Sequence, residues 1–398
     1  MVMKIDFFNL LFRGCFICFL LFTRVVFSQE FDDNPEWQDK FRINGYIQNM
    51  PSVDFTKGVD SYNFNNALHN RLNFRYSPTD NLRFAFEVRN RLLAGDMVET
   101  FSPFLIDLLE QDNGLVDASY VPFSGDKWLF HTMSDRFYAD WRYNNLQVRI
   151  GRQRINWGIN MVSNPNDLFN TYSFFDVDYP ERPGADAIRV QYFTGDMSRF
   201  DFAFSPDEDF ENSTAALMYA FNKRAYDFQI VGGYYRNRIA LGAGWAGSIG
   251  TSGFKGEITL FNDTDKFGQV DDIDVVTAIS FDHIFPSTMY VLFEGLYNGG
   301  YKNNSGDLLM LTEPMSPDNI FISKYALTGS LTYPVSPILT TSLAGVYMPD
   351  INAFYISPNI TYSVVTNFDA SILAQYFYFN DEIEMENIAI FMQLKWSF

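Results

Sequence analysis

From about residue 40 to the last residue, apolar and polar side chains alternate with a period of two, in runs broken by short clusters of turn-forming residues. In the run beginning at Leu82, the residues Leu82, Phe84, Phe86 and Val88 alternate with Arg83, Ala85, Glu87 and Arg89. In the last run, Ile388, Ile390, Met392, Leu394 and Trp396 share one phase, and Phe398 falls in step with them. Successive strand residues point to opposite faces, so each run predicts a strand with one apolar and one polar face. The predicted strands begin near Phe41, Ala67, Leu82, Trp128, Leu146, Ala187, Arg199, Thr214, Tyr226, Arg238, Ser252, Asp274, Thr288, Ile322, Ile338, Ala353, Phe368 and Glu386. That is about eighteen strands, an even number within the range of bacterial single-chain membrane barrels.

The connections sort by parity. The second, fourth and later even connections are short: Ser77–Asn81, Tyr143–Asn145, Gly195–Met197, Asn222–Arg224, Gly250–Thr251, Pro286–Ser287, Pro334–Pro337 and Thr366–Asn367. The intervening ones include the long segments from Gly95 to Lys127, Gly158 to Asp186 and Asn298 to Asn319. Short periplasmic turns alternating with long external loops are a property of transmembrane barrels, and a soluble β-sandwich explains no such sorting. The end of the chain, Phe391-Met392-Gln393-Leu394-Lys395-Trp396-Ser397-Phe398, looks like the terminal β-signal read by the outer-membrane insertion machinery. The fold expected is therefore all-β: a transmembrane antiparallel up-and-down β-barrel over residues 40–398.

Composition agrees with this. Aromatic residues make up 18% of the chain, with 42 Phe and 23 Tyr, yet mean hydropathy is only −0.12. A barrel resolves the conflict, because every second residue meets lipid while its neighbours meet water. At the start, Lys4 and Arg13 flank the short apolar run Gly14–Phe22, and Val26-Phe27-Ser28 offers small residues for cleavage. This predicts a signal peptide over residues 1–28, followed by a short periplasmic segment at 29–39. Both cysteines, Cys15 and Cys18, fall inside it, so the mature chain is expected to hold no disulfide, thiolate metal site or cysteine nucleophile. The formal charge is −19. Removing Lys4, Arg13, Arg24 and Asp6 with the leader leaves 26 basic and 47 acidic residues, or −21. That balance repels nucleic acid.

Against this acidic background, arginine gathers in the predicted second to sixth strands: Arg71, Arg75, Arg83, Arg89, Arg91, Arg136, Arg142, Arg149, Arg152, Arg154 and Arg189. Most alternate with apolar residues. They are expected to face the lumen, because a charge on the lipid side costs about 2–4 kcal/mol at the bilayer midplane. Arg71, Arg75, Arg83, Arg89, Arg91, Arg142, Arg149 and Arg189 form a candidate pore-lining row for anionic solutes. Glu87 and Asp140 share the inward phase, so a charge-paired wall that only stiffens the pore is the competing reading. Strict alternation puts Arg152 and Arg154 on the lipid phase, which requires a bulge near Gly151 or a position above the membrane.

The segment Gly151-Arg152-Gln153, then Trp157-Gly158, then Asn164-Pro165-Asn166-Asp167-Leu168, resembles a group of porin-like outer-membrane families in which a G-R-Q strand runs into W-G and an N-P-x-D-L loop. Arg182-Pro183-Gly184 fits the same pattern. The resemblance covers roughly residues 146–190 and is architectural elsewhere. It implies a solute channel and a loop folding inward after Trp157, with Trp157, Asp167 and Arg182 as constriction residues.

Phe101 to Leu109 has helical spacing, with Ser102-Pro103 as a start signal, and is read as a constriction helix or a docking surface. Residues 263–274 place carboxylates and a glycine as in a calcium loop, but Phe267 breaks the ligand set and no helices flank it, so a solvated acidic loop is expected and no metal is assigned. The three histidines, His69, His131 and His283, sit in no nucleophile or metal motif, and no catalytic residue or cofactor is assigned. The expected function is that of a porin or substrate-selective channel for passive uptake of small hydrophilic solutes, anions among them, in the Gram-negative outer membrane. The partners expected are lipid and lipopolysaccharide, the insertion machinery through Phe398, and the solute, with a homotrimer left open. The rival is a barrel that anchors a surface complex, docking through loops such as Thr171-Tyr172-Ser173-Phe174-Phe175.

Overall fold

The computed structural model describes residues 40–57, 62–112, 114–170, 184–266, 268–269, 272–301, 316–380 and 384–398. Nearly all of them belong to the unit Arg42–Phe398. The leader, the segment 29–39, Arg182 and the aromatic loop 171–175 lie outside the described residues.

The strands are β1 (Phe41–Thr56), β2 (Tyr62–Thr79), β3 (Leu82–Gly95), β4 (Ser119–Gly125), β5 (Trp128–Tyr143), β6 (Leu146–Gln153), β7 (Ala185–Gly195), β8 (Ser198–Ser205), β9 (Thr214–Lys223) and β10 (Tyr226–Tyr235). They continue with β11 (Arg238–Ile249), β12 (Ser252–Asp263), β13 (Ile273–Ile284), β14 (Tyr290–Asn298), β15 (Tyr325–Ser336), β16 (Leu339–Met348), β17 (Ala353–Val365), β18 (Phe368–Asn380) and β19 (Glu384–Ser397). One helix, α1 (Asp96–Glu110), follows β3.

Each strand pairs antiparallel with its neighbours, and β1 pairs with β19, so the sheet closes. The wall has eighteen strands: β3 pairs directly with β5, and β4 is a short addition. The seam runs from Tyr46↔Ser397 to Thr56↔Asn387 and finishes on Phe398, whose N–H donates to Gly45 O and whose carbonyl accepts from Gly45 N, both at 3.0 Å. The terminal aromatic residue is thus the last rung of the closing ladder.

The burial pattern inverts that of a soluble protein. In β3, Phe84 and Phe86 are exposed while Ala85, Glu87 and Arg89 are buried. Outward-facing Leu217, Ile230, Leu241, Ile258, Ile279 and Phe293 are exposed as well. An apolar band of this extent needs hydrocarbon as its solvent. The strands β6 to β10 run 8 to 11 residues, close to the roughly 9–11 that a tilted strand needs to cross a bilayer. On the other side, β1, β2 and β5 run 16, 18 and 16 residues and carry the wall higher.

The even connections are tight, and their backbone explains their residues: Asn144, Asn367 and Gly250 adopt positive φ, the conformation that asparagine and glycine accept most readily. Four details differ from the sequence reading. The second strand starts at Tyr62, not Ala67. Ile322 lies in no strand; β15 begins at Tyr325, because Ile320 and Phe321 turn into the barrel core instead of extending its wall. A further strand, β4, pairs along the upper half of β5. It is a seven-residue run interrupted by Pro122, too short to show alternation. The strand β5 itself changes phase at a bulge, where Arg136 faces Glu87 and Ser134 faces Val88, so Asp135 is the extra residue.

The fourth difference concerns α1, which begins at Asp96 and contains Pro103 rather than starting on it. Phe101 departs from helical geometry (φ −121°, ψ 16°), the kink expected where proline removes an N–H.

Candidate functional site

The lumen has two unlike walls. On β2 to β8, ten arginines occupy the inward phase: Arg71, Arg75, Arg83, Arg89, Arg91, Arg136, Arg142, Arg149, Arg189 and Arg199. Four carboxylates, Glu87, Asp135, Asp140 and Asp201, stand among them. Arg71 is fully buried, donates to Glu87 Oε2 at 2.6 Å, and also pairs with Asp135. Arg136 lies 3.3 Å and Arg75 3.8 Å from the same Glu87 carboxylate, and Arg89 lies 3.4 Å from Asp135. The bulge at Asp135 makes this possible, since it turns Asp135 and Arg136 to the same face.

Lower on the wall, Arg149 donates to Asp140 at 2.8 Å, and Gln147 donates to both oxygens of that carboxylate. Arg189 makes a bidentate pair with Asp201 at 2.9 and 2.6 Å. Arg142 and Arg199 reach their carboxylates only at 3.7 and 3.8 Å, and Arg83 has no ion pair among the described residues. Arg91 donates to His131 Nδ1 at 3.2 Å. The imidazole Nε2–H then donates to Ser119 Oγ at 2.8 Å, and Ser119 donates to Leu109 O at 2.5 Å. Both ring nitrogens are engaged in this chain, which ties the end of α1 to the wall.

At its other end α1 is held by Asn65, whose Oδ1 accepts from Met97 N at 2.9 Å. Asn65 and Ser119 both lie on the inward phase, so the helix is tied to the lumenal face. It buries Val98 and leaves Met97, Phe101, Phe104 and Leu108 exposed.

The second wall is β10 to β14, and a loop lies on it. After Gln153 the chain leaves β6, and residues 154–170 run across the lumenal face of these strands. Ile155, Trp157, Asn166, Asp167 and Leu168 are buried. Trp157 packs edge-on against Phe169 at 5.1 Å, and its carbonyl accepts from Gln229 Nε2 at 2.6 Å. Glu257 on β12 accepts from the backbone N–H groups of Ile159, Asn160 (2.8 Å) and Asn166 (3.0 Å). Glu294 on β14 accepts from Ser163 N at 2.7 Å and Val162 N at 3.3 Å.

Two asparagines read the wall in return. Asn160 donates to Ala278 O and accepts from Ser280 Oγ, and Asn166 donates to Ala243 O and accepts from Thr259 Oγ1. The wall beneath is made of small residues. A Cβ at Gly244 would sit 3.0 Å from Ile159 Cδ1 and 3.1 Å from Asn166 Nδ2, so glycine there is what lets the loop approach.

Of the constriction residues expected from sequence, Trp157 and Asp167 are in this docked loop, and Arg182 lies outside the described residues. Of the two explanations for Arg152 offered by the sequence, a bulge near Gly151 or a position above the membrane, the bulge is absent. Gly151 has φ +115°, but β5, β6 and β7 pair without a register shift through Arg152. Arg152 stays on the outward phase and is buried because the connection after α1 folds over it: it bonds Asp186 at 2.8 Å, Asp112 at 2.7 Å and Val116 O at 2.6 Å. In the acidic loop, Asp263 and Asp274 pair with Arg238, and Asp263 and Asp272 with Lys266, so the protein's own cations take up those carboxylates. Among the described residues no group of three or more His, Cys, Asp or Glu could hold a metal.

Sequence reasoning missed Glu257 and Glu294 as anchors of the loop. The available signal was the inward row Ala240, Gly242 and Gly244 on β11, small side chains where a pore wall otherwise carries large polar ones.

The closed eighteen-strand antiparallel barrel matches the fold of the Occ/OprD outer-membrane channels. No family model matches the chain, and no curated protein matches it in sequence. Among solved structures, it is similar to OpdQ of Pseudomonas aeruginosa with a TM-score of 0.55 at 8% identity, covering 90% of this chain and 98% of that one. OccAB4 of Acinetobacter baumannii gives 0.54 at 9% identity, covering 92% and 100%, and OccAB1 of the same organism 0.52 at 12%, covering 93% and 99%. At such identities the likeness is one of fold.

Proposed function

We propose that this chain is an outer-membrane channel for passive uptake of small hydrophilic solutes, with a preference for anions. The observation that carries the reading is the state of the lumenal carboxylates. Ten guanidinium groups on β2 to β8 face four carboxylates, and the two glutamates opposite are taken up by backbone N–H groups. A solute passing β2 to β8 therefore meets surplus positive charge, although the whole chain carries −19. The solute-facing positions are Arg83, Arg142, Arg75 and Arg149, with Arg71, Arg89 and Arg189 held on paired carboxylates and Arg91 on His131. The loop with Trp157 and Asp167 narrows the passage.

The remaining parts of the reading follow from the chain's design. Residues 1–28 serve as the export leader and 29–39 as a periplasmic lead-in, and the run ending in Phe398 is the insertion signal. The outward aromatic band contacts lipid and lipopolysaccharide. The resemblance of the G-R-Q, W-G and N-P-x-D-L segment to porin-like families supports the same reading. No bond-making chemistry is assigned to any residue.

Planar-bilayer recording of the purified chain tests this. Steady ohmic steps support a channel. A folded barrel that conducts nothing contradicts it and returns the role to anchoring a surface complex.

A further inference from the structure

We infer that Glu257 and Glu294 are positioning residues that set the width of the passage. This rests on the channel reading above and adds to it the element that fixes the aperture. The two carboxylates hold five backbone N–H groups of one loop: those of Ile159, Asn160 and Asn166 on Glu257, and those of Val162 and Ser163 on Glu294. Both glutamates are buried, at 0% and 4% exposure, so neither is offered to a passing solute.

The loop between residues 154 and 170 forms no strand or helix of its own. The N–H groups of Ile155, Asp167 and Leu168 find acceptors within the segment, but those of Ile159, Asn160, Val162, Ser163 and Asn166 take theirs from the wall, and a buried donor without a partner is costly. With three of these N–H groups converging on Glu257 and two on Glu294, the glutamates are the loop's most concentrated attachments on this wall. Asn160 and Asn166 add side-chain bonds at the same points, and Gln229 adds one at Trp157. With the carboxylates removed, these neutral contacts are left to hold the loop against the wall.

The consequence is an aperture set by side-chain length and charge at two positions. Glu257→Ala and Glu294→Ala let the loop leave the wall, and the combined variant frees it most. The side chains of Asn160 and Ser280 touch, with Ser280 Oγ donating to Asn160 Oδ1 at 2.9 Å, so Asn160→Cys with Ser280→Cys offers a covalent replacement for the clamp. The chain's own cysteines, Cys15 and Cys18, lie in the proposed leader.

The test compares single-channel conductance and the size limit for neutral sugars in liposome swelling. The proteins are wild type, Glu257→Ala, the double glutamate variant, and Glu257→Ala carrying the cysteine pair, each checked for a folded barrel by its shift in gel mobility on heating. The glutamate variants are expected to change conductance about twofold or more and to alter the sugar size limit, because permeation follows the radius and lining of the narrowest segment. The cysteine pair, oxidised, is expected to restore wild-type values, and reductant to abolish the rescue. Folded glutamate variants with wild-type conductance and sugar limit would overturn the inference, as would a change that the disulfide fails to reverse. If the alanine variants do not fold, the isosteric pair Glu257→Gln and Glu294→Gln, which keeps side-chain length but replaces one acceptor oxygen at each position, is expected to shift the same readouts in the same direction, and wild-type values there overturn the proposal. A wild-type chain that conducts nothing would instead defeat the channel reading itself.

Discussion

The two halves of the lumen are built from the same alternating strands and solve the same problem in opposite ways. On β2 to β8, buried carboxylates are balanced by guanidinium groups from neighbouring strands. On β12 and β14, they are balanced by peptide N–H groups from a loop. The first arrangement leaves surplus positive charge facing the water. The second leaves none, and turns charge into a mechanical attachment. The comparison teaches that counting lumenal acids and bases is not enough: what each carboxylate is bonded to decides whether a solute can feel it.

The sharpest way to break the comparison is at the best-buried ion cluster. Arg71→Ala leaves Glu87 and Asp135 facing one another with only the more distant Arg75, Arg89 and Arg136 to offset them. The expected loss is about 3–5 kcal/mol of barrel stability, read from denaturant unfolding in lipid vesicles. Arg142→Ala on the same wall removes a half-exposed side chain 3.7 Å from its carboxylate, and is expected to cost under about 1 kcal/mol. Equal losses for the two would show that the wall is not ranked by burial.

Next in size is the outward face. Leu241 is 53% exposed and lies on the lipid phase of β11, beside the inward Gly242. Leu241→Arg is expected to cost about 2–4 kcal/mol if its level is near the bilayer midplane. An unchanged unfolding midpoint would argue that β11 does not meet lipid there.

A smaller change sharpens the account of charge. Arg83→Ala combined with Arg142→Ala removes guanidinium groups that are unpaired or weakly paired among the described residues. Anion preference is expected to fall with little loss of stability. The smallest effect is expected from Gly244→Ala, whose Cβ would press on Ile159 and Asn166 and shift the loop by a few tenths of an ångström. A small change in conductance with unchanged ion preference is the result expected.

Much of this was legible in the sequence because it follows from strict local rules. Alternation fixed the faces of Leu82 to Arg89, and turn chemistry marked Asn144, Gly250 and Asn367. The parity of loop lengths gave the direction of each strand. What escaped was non-local. The bulge at Asp135 could not be read from β5 alone, because a bulge is defined by the partner strand. The role of Glu257 depends on peptide groups about a hundred positions earlier in the chain. Arg152 looked misplaced because alternation says nothing of a connection that folds over the outside of the wall to meet it. Proline in α1 misled in the usual direction, marking a start where the helix only kinks.

The reversal potential of the wild-type chain in a planar bilayer under a salt gradient tests the central claim most directly. The account predicts a potential of the sign given by excess anion flux, despite the chain's formal charge of −19. A potential of the opposite sign would mean that the lumenal carboxylates, not the arginines, face the solute, and would contradict it.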